Sequence, residues 1–146
     1  MNQFTMTETF PHPKEKVFNA FAAPDKLVRW IAPMDEMGTT IEEFEFVTEG
    51  WFKIAFDLGG NILRLSGQFL SIEAHDRISF TWIWQDPAPH AGVESHVLVE
   101  LSQTGANTCL TLTHTRLDAP GMLERHREGW QGSFFRLRRD FKELQI

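Results

Sequence analysis

Two histidines are placed where an imidazole could act on a bound molecule. His114 shares strand parity with Leu110 and Leu112, and His126 falls on an apolar helical stripe with Trp130, so both rings are expected to face the interior. An imidazole in an apolar pocket can orient a ligand by one hydrogen bond, or exchange a proton with a substrate held within reach. The plainer alternative is that each ring is hydrogen-bonded inside an ordinary core, and neither has a nucleophile beside it in sequence. Trp30, Trp82, Trp84 and Trp130 could form an aromatic wall for a flat ligand or simply fill a core, since aromatics at strand and helix spacing do both. Glu43 and Glu45 lie two apart on one strand face, which suits paired carboxylates only if they line a cleft. Two acids blunting an exposed sheet edge is the simpler reading.

Other chemistry lacks its residues. The six histidines contain no His-Glu-x-x-His pair, and His90 and His96 lack the spacing of two ligands on one helix face, so no metal site is expected. The chain has no Gly-x-Ser-x-Gly elbow, no phosphate-binding glycine loop and no dinucleotide-binding glycine turn. Cys109 is the single cysteine, which excludes an internal disulfide, and its parity opposite Leu110 predicts an unremarkable thiol. Arg64 and Gln68 fall on the side opposite Phe69 and are expected in solvent. No catalytic residue, metal or cofactor is therefore assigned, and the balance leans away from an enzyme.

Composition limits the partners. The 146 residues (1–146) fit one domain able to bury its own core. There are 13 Phe and 5 Trp but no Tyr, so the large side chains suit a wide core or a greasy cavity. A formal net charge of -6 opposes attraction to nucleic-acid phosphates or anionic lipid. The start of the chain lacks the basic and apolar regions of a secretory signal, and no stretch approaches the roughly 20 apolar residues that span a bilayer. A cytoplasmic location is the expectation, with neither nucleic acid nor membrane as partner.

The elements that must position these residues follow from periodicity. Residues 4–10 alternate, with Phe4, Met6, Glu8 and Phe10 on one side, as a strand does. Pro13 opens a short helix carrying Val17, Ala20 and Phe21; Ala23-Pro24 ends it, and Asp25 to Trp30 can form one more turn. A loop is expected from Ile31 to Thr39. Six strands of an antiparallel meander are read between residues 41 and 116, with Gly59-Gly60-Asn61 supplying a tight hairpin and a longer loop from Asp86 to Gly92. In the last segment Leu123, His126, Trp130, Phe134, Leu137, Phe141 and Leu144 recur at gaps of three and four. That stripe runs down a helix about 34 Å long, and the sheet must cover it.

Five stretches, HPKEKVFNAFAAPDKLVRWIAP (12–33), EGWFKIAF (49–56), GQFLSIEAHDRISFTWIW (67–84), LTLTHTRL (110–117) and GWQGSFFRL (129–137), together resemble the heat-shock-protein-90 ATPase-activator-like family. That family is of the helix-grip superfamily, which includes START lipid-transfer domains and the birch-pollen allergen. The resemblance implies an α+β helix-grip fold: a curved antiparallel sheet of about seven strands gripping a long C-terminal helix, with two short helices after the first strand and a cavity between sheet and helix. The activity in the family name belongs to a eukaryotic activator with an additional N-terminal domain and is not carried over. The chain departs from the family where an Arg often lies near the end of the first strand, here Glu8. It departs again at an Asp-x-Arg-x-Gly-Gly pattern, here Glu45, Val47 and Glu49-Gly50.

The leading expectation is a protein that binds a small hydrophobic ligand between sheet and helix. Trp30, Phe56, Trp82, Trp84, His114, His126, Trp130 and Phe134 are the candidate lining residues. The aromatics would supply shape, and His114 or His126 one or two orienting hydrogen bonds. Superfamily members that are enzymes keep open an alternative in which these histidines act as acid and base. A chaperone- or protein-binding module using the 31–39 loop or the outer sheet face is a second alternative. Periodicity does not decide the oligomeric state, and a homodimer through a sheet face stays open.

Overall fold

The structure, a computed structural model, describes residues 2–143; Leu144, expected at the end of the apolar stripe, lies outside them. Strand β1 (Phe4–Phe10) leads into α1 (Lys14–Ala22) and α2 (Pro24–Leu27). Six strands follow: β2 (Gly38–Phe44), β3 (Trp51–Leu58), β4 (Asn61–Glu73), β5 (Arg77–Trp84), β6 (Ser95–Thr104) and β7 (Asn107–Thr115). Helix α3 (Met122–Glu143) comes last. The order across the sheet is β1-β7-β6-β5-β4-β3-β2, with every neighbouring pair antiparallel. This is the α+β helix-grip arrangement: six strands joined as consecutive hairpins, and β1 returned to the far edge beside β7.

Local chemistry sets the boundaries. Pro13, extended at φ -68 and ψ 154, precedes α1, and Pro24 occupies the first turn of α2, where its missing N–H is not needed. Gly59 and Gly60 take φ of 60 and 93 in the β3–β4 hairpin, as a tight turn requires. The loop expected to run to Thr39 is shorter, because Gly38 and Thr39 already pair with Asp57 and Phe56 of β3. A register shift between Ile41 and Glu43 then turns Glu43 outward opposite Lys53, while Ile41 and Phe44 pack against the core. Glu43 in this edge strand and Glu45 just past its end are both exposed, and neither lines the cavity between sheet and helix. Gly67 marks a close approach: a Cβ there would lie 2.1 Å from the Thr81 carbonyl oxygen and 2.4 Å from the Phe52 ring. Glycine is what allows β4 to sit so tightly against β5.

Helix α3 lies in the concavity of the sheet with its apolar stripe inward. Trp130, Phe134, Leu137 and Phe141 are all buried, and each contributes roughly 1.5–3 kcal/mol when removed from water. Trp130 meets Trp82 of β5 at 5.2 Å between ring centroids, and Phe141 meets Phe10 of β1 at 5.7 Å. Ser133 and Asp140 are also buried on this helix, whereas Phe135 is 65% exposed. The interior is divided into two unlike halves. Beneath α1 and α2 the rings of Phe44, Phe46, Phe52, Phe69 and Phe80 interlock edge to face, leaving only a void of about 30 Å³. The half lined by tryptophans is hollow.

Candidate functional site

The hollow is a cavity of about 450 Å³ bounded by three elements. The sheet supplies Phe56, Leu58, Leu63, Trp82 and Trp84; the segment after α2 supplies Ile31, Ala32, Pro33, Met34 and Met37. Helix α3 supplies Arg125, His126, Glu128, Gly129, Trp130 and Ser133. Met34 and Leu58 are 41% and 39% exposed and Arg125 and Glu128 are exposed, so the cavity opens to solvent at this rim. A volume of this order falls in the range that takes small organic ligands, and a mainly apolar wall with a few polar groups is the composition such sites have.

Gly129 is what leaves the helix wall recessed. A Cβ built on it would meet nothing within 4 Å, so any larger side chain there would enter the cavity. Gly132, one turn away from the same wall, has the opposite role. Its Cβ would lie 2.3 Å from the Pro33 carbonyl oxygen, so its absence lets the 31–37 segment seat directly on α3. That segment is tied down by Arg136, whose guanidinium donates to the carbonyl oxygens of Ala32 and Arg29 at 3.2 Å each and to Asp35 at 3.0 Å. Arg139 also engages Asp35, and these two arginines hold its carboxyl below the usual carboxylate range.

The two candidate imidazoles are locked in defined neutral forms. Indole nitrogen only donates, so the ring nitrogen that receives it must be unprotonated. Trp84 Nε1 donates to His126 Nε2 at 2.9 Å, and His126 Nδ1, carrying the proton, donates to the Met122 carbonyl oxygen at 2.7 Å. Trp130 Nε1 donates to His114 Nδ1 at 3.1 Å; His114 Nε2 then donates to Ser95 Oγ at 2.8 Å, and Ser95 Oγ donates to the Trp82 carbonyl oxygen at 3.1 Å. Burial holds the His114 ring well below the ordinary histidine range, with the nearby His126 and His96 acting in the same direction. His126 is lowered mainly by burial; its bond to Met122 opposes this, while His90 and Arg125 add to it. Neither ring has a spare lone pair with which to take a proton from a substrate.

Of the eight residues expected to line the site, the structure brings Phe56, Trp82, Trp84, His126 and Trp130 to the cavity wall. Trp30, His114 and Phe134 sit behind it. Trp30 has 0% exposure and donates its indole N–H to the Ala20 carbonyl oxygen, because the turn after α2 folds it under α1. Phe134 is stacked between Trp30 and Trp130, with ring planes within 20° and 28° of theirs. His114 also has 0% exposure, covered by Trp82 and Trp130. Arg125, Glu128, Gly129 and Ser133 were not among the expected residues, nor was the apolar wall from Ile31 to Met37. The spacing of Arg125, Gly129 and Ser133 at every fourth residue is visible in the sequence, but polar residues and glycine off the apolar stripe carry no signal of facing inward. Among the described residues Trp82 Nε1 is buried without a hydrogen-bond partner. Arg64 pairs with Glu42 at 3.3 Å on the outer face, and Gln68 donates to the Glu49 carbonyl oxygen at 3.0 Å. Among the described residues no three His, Cys, Asp or Glu side chains gather as a metal site needs, and no helix is long and apolar enough to cross a membrane.

The family model described as "Activator of Hsp90 ATPase homolog 1-like protein" matches residues 11–142. The chain belongs to this family. Among solved structures, the AHSA1 protein of Silicibacter pomeroyi is 26% identical, covers 99% of both chains and superposes with a TM-score of 0.85. A Rhizobium loti protein is 30% identical over 93% of this chain and 94% of its own, with a TM-score of 0.79. A Chromobacterium violaceum protein at 22% identity, covering 94% of each chain with a TM-score of 0.82, shares the fold. No curated relative matches the sequence. In this member of the Activator of Hsp90 ATPase homolog 1-like family, Glu8 lies on β1. Its carboxylate pairs with Arg138 of α3 at 3.0 Å, so here the cation comes from the helix and the anion from the sheet.

Proposed function

We propose that this family member binds a small hydrophobic molecule in the cavity between its sheet and α3. The observation that carries the reading is the 450 Å³ cavity itself, walled by Phe56, Trp82, Trp84 and Trp130 in a chain that otherwise packs its aromatics closely. A solid core would gain dispersion contacts by collapsing, so a hollow of this size in an aromatic interior favours a guest. Shape and apolar contact come from the tryptophans and Phe56. His126 acts through Trp84, holding that indole in one orientation, rather than through a free nitrogen. An acid–base role for His114 or His126 finds no support in their geometry, because both nitrogens of each ring are already engaged.

The test is native mass spectrometry of freshly purified protein beside the Gly129→Leu variant, followed by titration of both with an apolar aromatic probe. Wild type is expected to retain or take up one small molecule, and the variant, with leucine in the cavity, to bind none while still folding. Equal binding by the two proteins, with the variant folded, would remove the cavity from the explanation.

A further inference from the structure

Arg125, Gly129 and Ser133 recur at every fourth position of α3, and all three line the cavity. They form one row along the helix, with about 12 Å between the first and last Cα atoms. Arg125 is exposed at the rim, while Ser133 is 4% exposed in the interior. Among the described residues the Arg125 guanidinium has no ion-pair partner and the Ser133 hydroxyl no hydrogen-bond partner. Sequence order explains the first. Glu124 and Arg127 pair at 3.7 Å, but Arg125 and Glu128, at the same spacing, stand in the reverse order, which the helix favours less. The second matters because a hydroxyl facing the cavity from a mainly apolar wall offers a guest one orienting hydrogen bond.

Resting on the cavity reading above, we infer that the guest is a flat aromatic acid. Its carboxylate lies on Arg125 at the mouth, its ring system lies against Trp82 and Trp84 over Gly129, and a hydrogen-bonding group at its far end meets Ser133. A guanidinium presents two parallel N–H donors that match a carboxylate, and it keeps its charge at any physiological pH. Glu128, on the same rim, opposes a second negative charge and so selects a monoanion.

Calorimetric titration can use three probes: a hydroxynaphthoate with its two groups at opposite ends, the matching hydroxynaphthamide, and unsubstituted naphthoate. Wild type is expected to bind the hydroxynaphthoate on the order of tenfold more tightly than the amide. Arg125→Gln removes that preference and Glu128→Gln widens it; both positions are exposed, so the fold is retained. Ser133→Ala weakens the hydroxynaphthoate several-fold and leaves naphthoate unchanged. Equal affinity for acid and amide, or an acid preference that survives Arg125→Gln, overturns the inference. Indifference of the hydroxynaphthoate to Ser133→Ala does the same for the Ser133 contact. In those cases the cavity reading stands if Gly129→Leu still blocks all three probes. Failure of every probe to bind wild type overturns the inference, and the cavity reading then stands or falls on whether wild type, but not Gly129→Leu, retains another small molecule in native mass spectrometry.

Discussion

The Trp84 indole donates to His126 Nε2 across 2.9 Å, joining β5 of the sheet to α3 at the cavity wall. A second bond of the same kind, Trp130 to His114 at 3.1 Å, runs the other way, from helix to sheet. The two imidazole centroids are 5.2 Å apart, so the pair forms a small polar seam inside an aromatic interior. Each half depends on a neutral ring, and each half meets water differently.

That difference ranks two substitutions. His114→Ala strands the Trp130 N–H in the interior, takes the donor away from Ser95 Oγ, which keeps its bond to the Trp82 carbonyl oxygen, and leaves a void; a loss of roughly 3 kcal/mol is expected. His126→Ala strands the Trp84 N–H beside the cavity, where water can reach it, and about 1–2 kcal/mol is expected. Urea unfolding of the two variants measures the order. A costlier His126→Ala would mean that the seam is held mainly from the rim.

The histidines also set a pH dependence. His12, His114 and His126 are all lowered from their ordinary 6.5, each mainly by burial. Above that value both folded and unfolded chains hold these rings neutral. As pH falls below it, the unfolded chain takes up protons that the folded chain refuses, so stability declines. Unfolding midpoints at about pH 7.5 and about pH 5.5 should therefore differ, the lower pH giving the weaker protein, before most carboxylates titrate. A flat profile over this window contradicts the buried, neutral seam.

Two glycines three residues apart on α3 are predicted to respond oppositely to the same change. Gly129→Ala adds a methyl to open space and improves helix propensity, a gain of up to about 1 kcal/mol. Gly132→Ala drives its methyl into the Pro33 backbone and should destabilise by roughly 1–3 kcal/mol while displacing the 31–37 wall. Thermal midpoints separate them, and shifts of the same sign would refute the account of how that wall is seated.

Arg136 is the tether of that wall. Replacing it with Ala removes donors to Ala32, Arg29 and Asp35, and a loss of about 1–2 kcal/mol is expected for a largely buried side chain whose carboxylate partner is exposed. Hydrogen exchange should quicken in residues 31–37 more than in the sheet. Uniform quickening across the protein would show instead a global loss of stability.

The fold was legible because its signals are local and periodic. Alternation of Phe52, Ile54 and Phe56 announces a half-buried strand, Gly59-Gly60 a hairpin, and the run from Leu123 to Phe141 a helix that something must cover. These patterns arise from where successive Cβ atoms point, which the sequence alone determines. The same reasoning placed His114 and His126 inward. It did not separate lining from core. Phe134 and Trp130 stand on one stripe, yet one is sandwiched between rings and the other borders a hollow, because Trp30 from the segment after α2 stacks on Phe134 and fills the space before it.

What only the tertiary structure decided is which inward residues have empty space in front of them, and what each polar atom among them is bonded to. Gly129 opens the helix wall and Gly132 closes the loop onto it, although both are glycine in the same helix. The difference lies in what faces each one, open cavity or the Pro33 carbonyl. Sequence periodicity fixes a direction in space, whereas a cavity is a property of three elements meeting, and long-range packing alone sets how closely they meet.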